Sequence, residues 1–413
     1  MNRIPFLSLI LLISACTQTS EISDWRGPNR DGIYHETGLL KAWPEEGPSL
    51  AWSYEGLGHG HSAVAVSSDR VYVTGVKDSA RSLGTLFAFD LAGTLLWESD
   101  FGKDFTANFL GTRSTPVVVD DHIYIESGAG AVYCINAEKG QEIWSRDFIQ
   151  DFGVDSVIQF GYSESVLIDG DHLVCVPGGQ ENNVVALNRF TGDMIWACAG
   201  LGEPATYNSP ILIEVGANRL VIAMTAESIM GIDAGTGEMY WRIEQTQRNK
   251  IHANTPLYAD AKLVVSSADA KSTSGLVQIE LSEDGRKAEV VWRNKKFRNL
   301  LGGIVRIDSC IYGSTAMGKD WQVLSWNTGE MLVQNKDLGG GSIIHADGLF
   351  YAYTEREGEL ALLDATPSKF EIINKFEVPM GTDQHWARLV IHKGMLYVRH
   401  GNALMVYDIR GSE

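Results

Sequence analysis

Eight times along this 413-residue chain a stretch recurs that runs small residue, alternating apolar residues, Asp or Gly, and a second apolar run often carrying Tyr. The copies begin near His61, Thr115, Ser163, Asn208, Asn254, Gly302, Gly341 and Trp386. Steps of about 40 to 50 residues mean one supersecondary unit per repeat, too small to bury its own apolar face and stable only when stacked. In the second copy the order is an apolar run from Thr115, a turn at Asp120 and Asp121, a run from Ile123, a Gly-rich turn, a run from Ala131, a turn at Lys139 and Gly140, and a last run ending at Trp144. Period-two alternation broken by Gly, Asn and Asp describes half-buried strands joined by hairpins, and no window shows comparable helical periodicity. The predicted fold is all-β, an eight-bladed propeller of four-stranded antiparallel blades.

The last hairpin of each copy is the sharpest element. Trp97, Trp144, Trp196 and Trp241 each follow a glycine, Gly93, Gly140, Gly192 and Gly237, by four residues. Gly permits the positive φ of the turn, and the indole can then lie against the neighbouring blade. The fifth copy stretches the turn from Gly285 to Trp292 and the sixth has Val333 instead, so that side of the ring is where altered packing is expected. The eighth copy, residues 387–409, supplies only three strands. Residues 49–54, which carry Trp52, fit the vacancy and would close the ring, removing exposed strand edges. Trp52, Trp97, Trp144, Trp196, Trp241 and Trp292 are therefore the expected blade-packing residues.

The repeats run almost to the last residue with no Pro/Ser-rich linker, so residues 49–413 are expected to form one domain. Ahead of them, Arg3, an apolar run from Ile4 to Ile13, and Ser14 and Ala15 before Cys16 have the layout of a signal peptide over residues 1–15. Residues 13–16 resemble the bacterial lipobox, which implies a lipid on Cys16 and a tether and extension over residues 16–48. Thr17 stands where the inner-membrane retention rule asks for Asp, so the expected address is the outer membrane, facing the periplasm, with several acyl chains holding the protein stably.

Cys134, Cys175, Cys198 and Cys310 form no CxxC pair and are expected as small buried side chains, with one disulfide among them as the alternative. Acidic residues number 52 against 34 basic ones, a net charge of −18. That balance excludes nucleic acid as a partner, since phosphate binding needs a basic patch; a neutral or cationic partner is easier to accommodate.

Residues at the start of the innermost strands should line the channel or its mouth. His61, Arg113, Glu164, Asn208, Asn254, His385 and Arg388 are the candidate ligand-binding residues, with His59, Thr115, Ser163 and His252 beside them. Arg113 and Glu164, charged and in adjacent repeats, invite an ion pair or a ligand carboxylate. No serine nucleophile elbow, HExxH or calcium loop appears, and His59 with His61 lacks a third metal ligand, so neither a catalytic residue nor a metal site is assigned. Phe105, Phe109 and Leu110 are candidate exposed apolar loop residues for a partner.

Residues 185–196 and 231–241, the opening at residues 24–34, and residues 161–165, 177–179 and 386–390 closely resemble the pyrroloquinoline-quinone-like (PQQ-like) β-propeller family, over nearly all of the chain after residue 16. The resemblance implies one of two functions. A quinoprotein dehydrogenase would hold PQQ and calcium in the channel, with a basic residue on the quinone oxygens and an Asp base. A BamB-like lipoprotein would be a non-catalytic scaffold for outer-membrane β-barrel assembly. The chain lacks the adjacent cysteine pair of many quinoprotein alcohol dehydrogenases and is shorter; of a calcium trio, Glu164 and Asn254 would be two members. The expectation is thus a monomeric, lipid-anchored binding or assembly scaffold for envelope proteins or a small ligand, with no cofactor. The alternatives are a PQQ-dependent alcohol or sugar oxidoreductase and a glycan- or small-ligand-binding propeller.

Overall fold

Each repeat folds into one antiparallel sheet whose strands run in sequence order from the channel outward, and eight such sheets form the ring. The computed structural model describes residues 22–23, 26–246, 249–268, 275–315 and 320–411. The signal segment 1–15 and Cys16 lie outside the described residues. Blades 1 to 7 span residues 65–103, 117–147, 167–198, 211–244, 257–294, 304–335 and 341–377. Blade 8 takes three strands from residues 390–408 and its outermost strand from Ser49–Glu55, in antiparallel register from Ser49↔Asp408 to Glu55↔Ala403. The ring therefore closes as the spare strand predicts.

Every outer strand carries a β-bulge at an equivalent position, and that of blade 1 has a second at Phe101. Leu96, Ile143, Ile195, Tyr240, Val291, Leu332, Ile373 and Ala51 are each left without a ladder partner. A bulge re-aims the residues beside it. The next residue is the tryptophan position, and its side chain turns to the adjacent blade. The indole N–H groups of Trp144, Trp196 and Trp241 each donate at 3.0 Å to a backbone carbonyl of the following blade, at Arg189, Ala234 and Gly285. Trp52 donates to Leu91 at 3.1 Å and Trp292 to Trp326 at 3.3 Å. Trp97 packs on Gly140, but its N–H has no partner. Gly192 is doubly required: its φ is +74°, and a Cβ there would come within 2.8 Å of Trp144.

Blades 6 and 7 replace the tryptophan with Val333 and Asn374, and other indoles fill the space. Trp321 is fully buried, donates to Gly339 at 2.8 Å and lies 6.3 Å from Phe370. Trp43, from the chain before the ring, donates its backbone N–H to Asn374 and sits 5.9 Å from Tyr351. The core thus lies between blades all round the ring, and the four cysteines are free thiols within it.

The segment before the ring crosses one end of the channel. Ile22–Ser23 pairs with the inner strand of blade 2, and Ile33–Tyr34 runs parallel to that of blade 7. Between them Arg30 donates to the carbonyls of Ser165 at 3.1 Å, Pro210 at 2.8 Å and Val166, while Arg26 donates to Asp31 at 3.1 Å and Ile304 at 2.5 Å. Two buried guanidiniums thereby satisfy carbonyls of blades 3, 4 and 6 that face the channel.

Candidate functional site

Among the described residues nothing closes the opposite end of the channel. There the residues just before the inner strands are extended, and alternate side chains point in opposite directions. His61 with Ala63, Arg113 with Thr115, Ser163 with Ser165, Ile251 with Ala253, and Trp386 with Arg388 all face inward, and together they line a cup of about 330 Å³. Phe109, Phe160, Tyr207, Leu300 and Leu301 complete the wall. The rings meet at a tilt: Phe109 is 4.9 Å from Trp386 and 6.2 Å from Phe160, Phe160 is 6.0 Å from Tyr207, and His61 is 5.0 Å from Trp386.

The charge in the cup is positive. Arg113 donates to the carbonyls of Gly111, Asn108 and Phe109 at 2.7, 2.9 and 2.7 Å and lies 4.8 Å from the Phe105 ring. It therefore holds the 108–111 loop, in which Phe109 has φ +45° and is 46% exposed. Burial lowers its pKa to about 10, leaving it charged at neutral pH. Burial, and then repulsion from Arg26, brings Arg388 down to about 9. The two guanidiniums meet at Gly303, where a Cβ would come 2.4 Å from Arg26 Nη1 and 3.6 Å from Arg388 Nη1. Burial and the nearby Arg113 and Arg399 push the His61 imidazole down to about 3, so it is neutral at physiological pH. Neither of its ring nitrogens makes a hydrogen bond of ordinary geometry.

The same alternation turns the other sequence candidates away from the cup. Glu164 accepts from the backbone of Val176 at 3.0 Å, and its own N–H donates to Glu126 at 3.2 Å. No ion pair joins it to Arg113. Burial raises both glutamic acids, Glu164 to about 8, so they share the interface between blades 2 and 3 largely as neutral acids. Asn254 ties blade 5 to blade 6, donating to Asn299 at 3.0 Å and Leu300 at 3.2 Å and accepting from Gly303 at 2.9 Å. Asn208 is buried with neither amide atom bonded. His385 hydrogen-bonds Tyr353 at 2.6 Å and stacks on His400 at 3.8 Å. His252 meets the Ala226 carbonyl, and His59 pairs with Asp383 at 2.8 Å.

This arrangement does not fit calcium. Among the described residues no three His, Cys, Asp or Glu side chains come together. Glu164 and Asn254 face away from the cup and spend their oxygens on backbone amides, and the described lining residues include two cations and no carboxylate. Sequence reasoning found the depth of the site but missed Phe160, Tyr207, Ile251, Leu300, Leu301 and Trp386. The usable signal was that each inward residue lies an even number of positions from another.

Compared with known proteins, residues 82–331 match the family model described as outer membrane protein assembly factor BamB. A BamB of Kangiella koreensis is 24% identical over 211 residues, 50% of this chain and 48% of that protein. The BamB of Salmonella typhimurium is 30% identical over 110 residues, 27% of each. The match thus spans less than half the length of these curated relatives. Among solved structures, BamB from Moraxella catarrhalis superposes with a TM-score of 0.62 at 15% identity, covering 88% of this chain and 98% of that one. Quinohemoprotein alcohol dehydrogenase from Comamonas testosteroni gives 0.63 at 10% identity, covering 93% and 80%. At these identities the structural likeness is one of fold.

Proposed function

Because the chain belongs to the PQQ-like propeller family described as outer membrane protein assembly factor BamB, we propose that it is a non-catalytic scaffold that docks envelope proteins during outer-membrane assembly. A lipid on Cys16 would hold it to the outer membrane, with the ring in the periplasm. The observation that carries this reading is the family match over residues 82–331, laid on a ring that closes with its own strand. The likeness to a dehydrogenase is a likeness of scaffold, and function resides in the site.

The site itself argues against acid–base chemistry. A general base works best with a pKa near the operating pH, whereas the imidazole in the cup sits near 3 and the described lining residues include no carboxylate. Partner contact falls to the loops around the open mouth, with Phe109 the most exposed apolar side chain among the three loop candidates.

The test is capture of the full-length, lipid-bearing chain from detergent extracts of its own membranes. Co-purification of β-barrel assembly components, lost from the membrane fraction in Cys16→Ser, is the expected result. Repeated capture without such components would sink the scaffold reading. Reconstitution with PQQ and calcium that yields a bound-quinone spectrum and dye reduction with alcohols or sugars would replace it with the oxidoreductase.

A further inference from the structure

The cup has the opposite sign to the protein around it. The chain carries a formal net charge of −18, yet the described residues lining the cup bring Arg113 and Arg388 and no carboxylate. Asp104 stands near Arg113 and Glu355 near Arg388, both outside the cup. Burial raises both carboxyls, Asp104 to about 6, and neither reaches the cup wall. A positive pocket in an acidic protein attracts anions and repels cations.

A second observation points into the same space. His61 is 8% exposed and lines the cup; the backbone carbonyl of Phe109 stands beside its ring, and neither ring nitrogen makes a hydrogen bond of ordinary geometry. A buried imidazole in that condition costs free energy unless something bonds it. Being neutral, it offers one N–H donor and one lone pair.

The walls set the rest of the ligand. Phe109, Phe160 and Trp386 meet at tilts of 47° to 54°, and aliphatic Ile251, Leu300 and Leu301 face them. A strongly hydrated anion such as sulfate or phosphate would lose its water to these walls with little in return. At about 330 Å³ the cup lies at the small end of the range of about 300–1,000 Å³ for small-molecule sites. We infer that the cup binds a small apolar carboxylate, its hydrocarbon or aromatic body against Phe109, Phe160 and Trp386 and its carboxylate toward Arg388 and His61. This stands apart from the docking role, since it concerns what the mouth holds and not which protein the loops meet.

The experiment is calorimetric titration of the purified full chain, with tryptophan fluorescence as a second readout, using 3-phenylpropionate, its neutral amide and the matching amine, 3-phenylpropylamine. Saturable binding of the acid, about tenfold or more weaker for the amide, and none for the amine is expected from a charge-assisted contact. Equal binding of acid and amide, preference for the amine, or no saturation by any of them overturns the inference. Gly-Gly-Phe, titrated alongside, separates a free acid from the carboxyl end of a polypeptide; tighter binding assigns the latter and weaker binding the former. Arg388→Gln should lower affinity for the acid about tenfold or more and leave the amide unchanged. Arg388 is packed at the floor, so Phe160→Ala at the wall serves as the second variant. It should weaken acid and amide alike by about twofold to tenfold at an unchanged melting temperature, and a Phe160→Ala protein that binds both as before would remove the wall assignment and with it the inference.

Discussion

At the open end of the channel each wall residue belongs to a loop or strand of the repeats, whereas the opposite end is shut by residues 26–34, which precede the first repeat and join blade 7 only through Ile33–Tyr34. The open end presents side chains chosen by strand alternation. The shut end is made by two arginines from a single crossing segment, bonded to carbonyls of three blades. One end is repeated and local, the other unique and long-range. Strand direction already makes the two ends of a propeller different, and here the segment that also supplies Ser49–Glu55 and Trp43 adds a further difference by crossing one of them.

The largest effect should come from cutting that segment where it closes the ring. Deleting Ser49–Glu55 removes the fourth strand of blade 8 and uncovers the edge of Ala403–Asp408, so unfolding followed by urea and far-UV dichroism should lose its single cooperative transition. A variant that melts as sharply as the parent would mean the repeats hold the ring without it.

A repeat-derived contact should cost less. Trp144→Ala empties the interface between blades 2 and 3 and is expected to destabilise by about 3 to 5 kcal/mol, read from the urea midpoint. Trp97→Ala offers an internal comparison. Its indole is only half-buried and its N–H is unbonded, so the loss should be smaller than at Trp144; the reverse order would undo the account of these rings as latches.

At the shut end, Arg30→Met strips charged donors from the carbonyls of Ser165, Val166 and Pro210. Hydrogen bonds to charged groups are worth about 1.5 to 3 kcal/mol each, partly offset by no longer burying a cation, and a net loss of about 2 to 4 kcal/mol follows. Hydrogen exchange should also rise at the amides of residues 26–34. An unchanged midpoint with unchanged exchange would reduce the crossing segment to a decoration.

What the sequence disclosed follows the same division. Blade number, the closing strand and the Gly-to-Trp spacing are short-range patterns, and the first two reappear as predicted. Arg26 and Arg30 carry no such signal, because nothing local says that an arginine will be 2% or 6% exposed across a channel. Within the cup the candidates divide by parity. Position along the chain placed Arg113, Glu164, Asn254 and His385 at one depth, but only the direction of each Cβ separates the inward Arg113 from the three that face their neighbours. The clustering of Phe109, Phe160 and Trp386 joins residues from well-separated copies, and only closure of the ring brings them together.

The last effect is one that titrates, and it lies between the two ends. Glu164 is flanked by Glu126, by the Arg30 guanidinium and by Tyr162 and Cys175. Burial raises its pKa from 4.5 to about 8, so between those values the folded chain holds a proton that the unfolded chain releases. The stability this contributes is full below about 4.5 and is lost as pH climbs toward 8. His61 works on the other limb. Its pKa falls from 6.5 to about 3 on folding, so its contribution disappears as pH drops through that interval. Glu164→Gln keeps the shape and removes the proton, and should therefore raise the urea midpoint at pH 8 relative to the parent while leaving pH 5 nearly unchanged. Parallel profiles of parent and variant from pH 5 to 8 would show that the buried acid pair is ionised and balanced by Arg30, which would tie the shut end of the channel to the open one more tightly than the hydrogen bonds alone require.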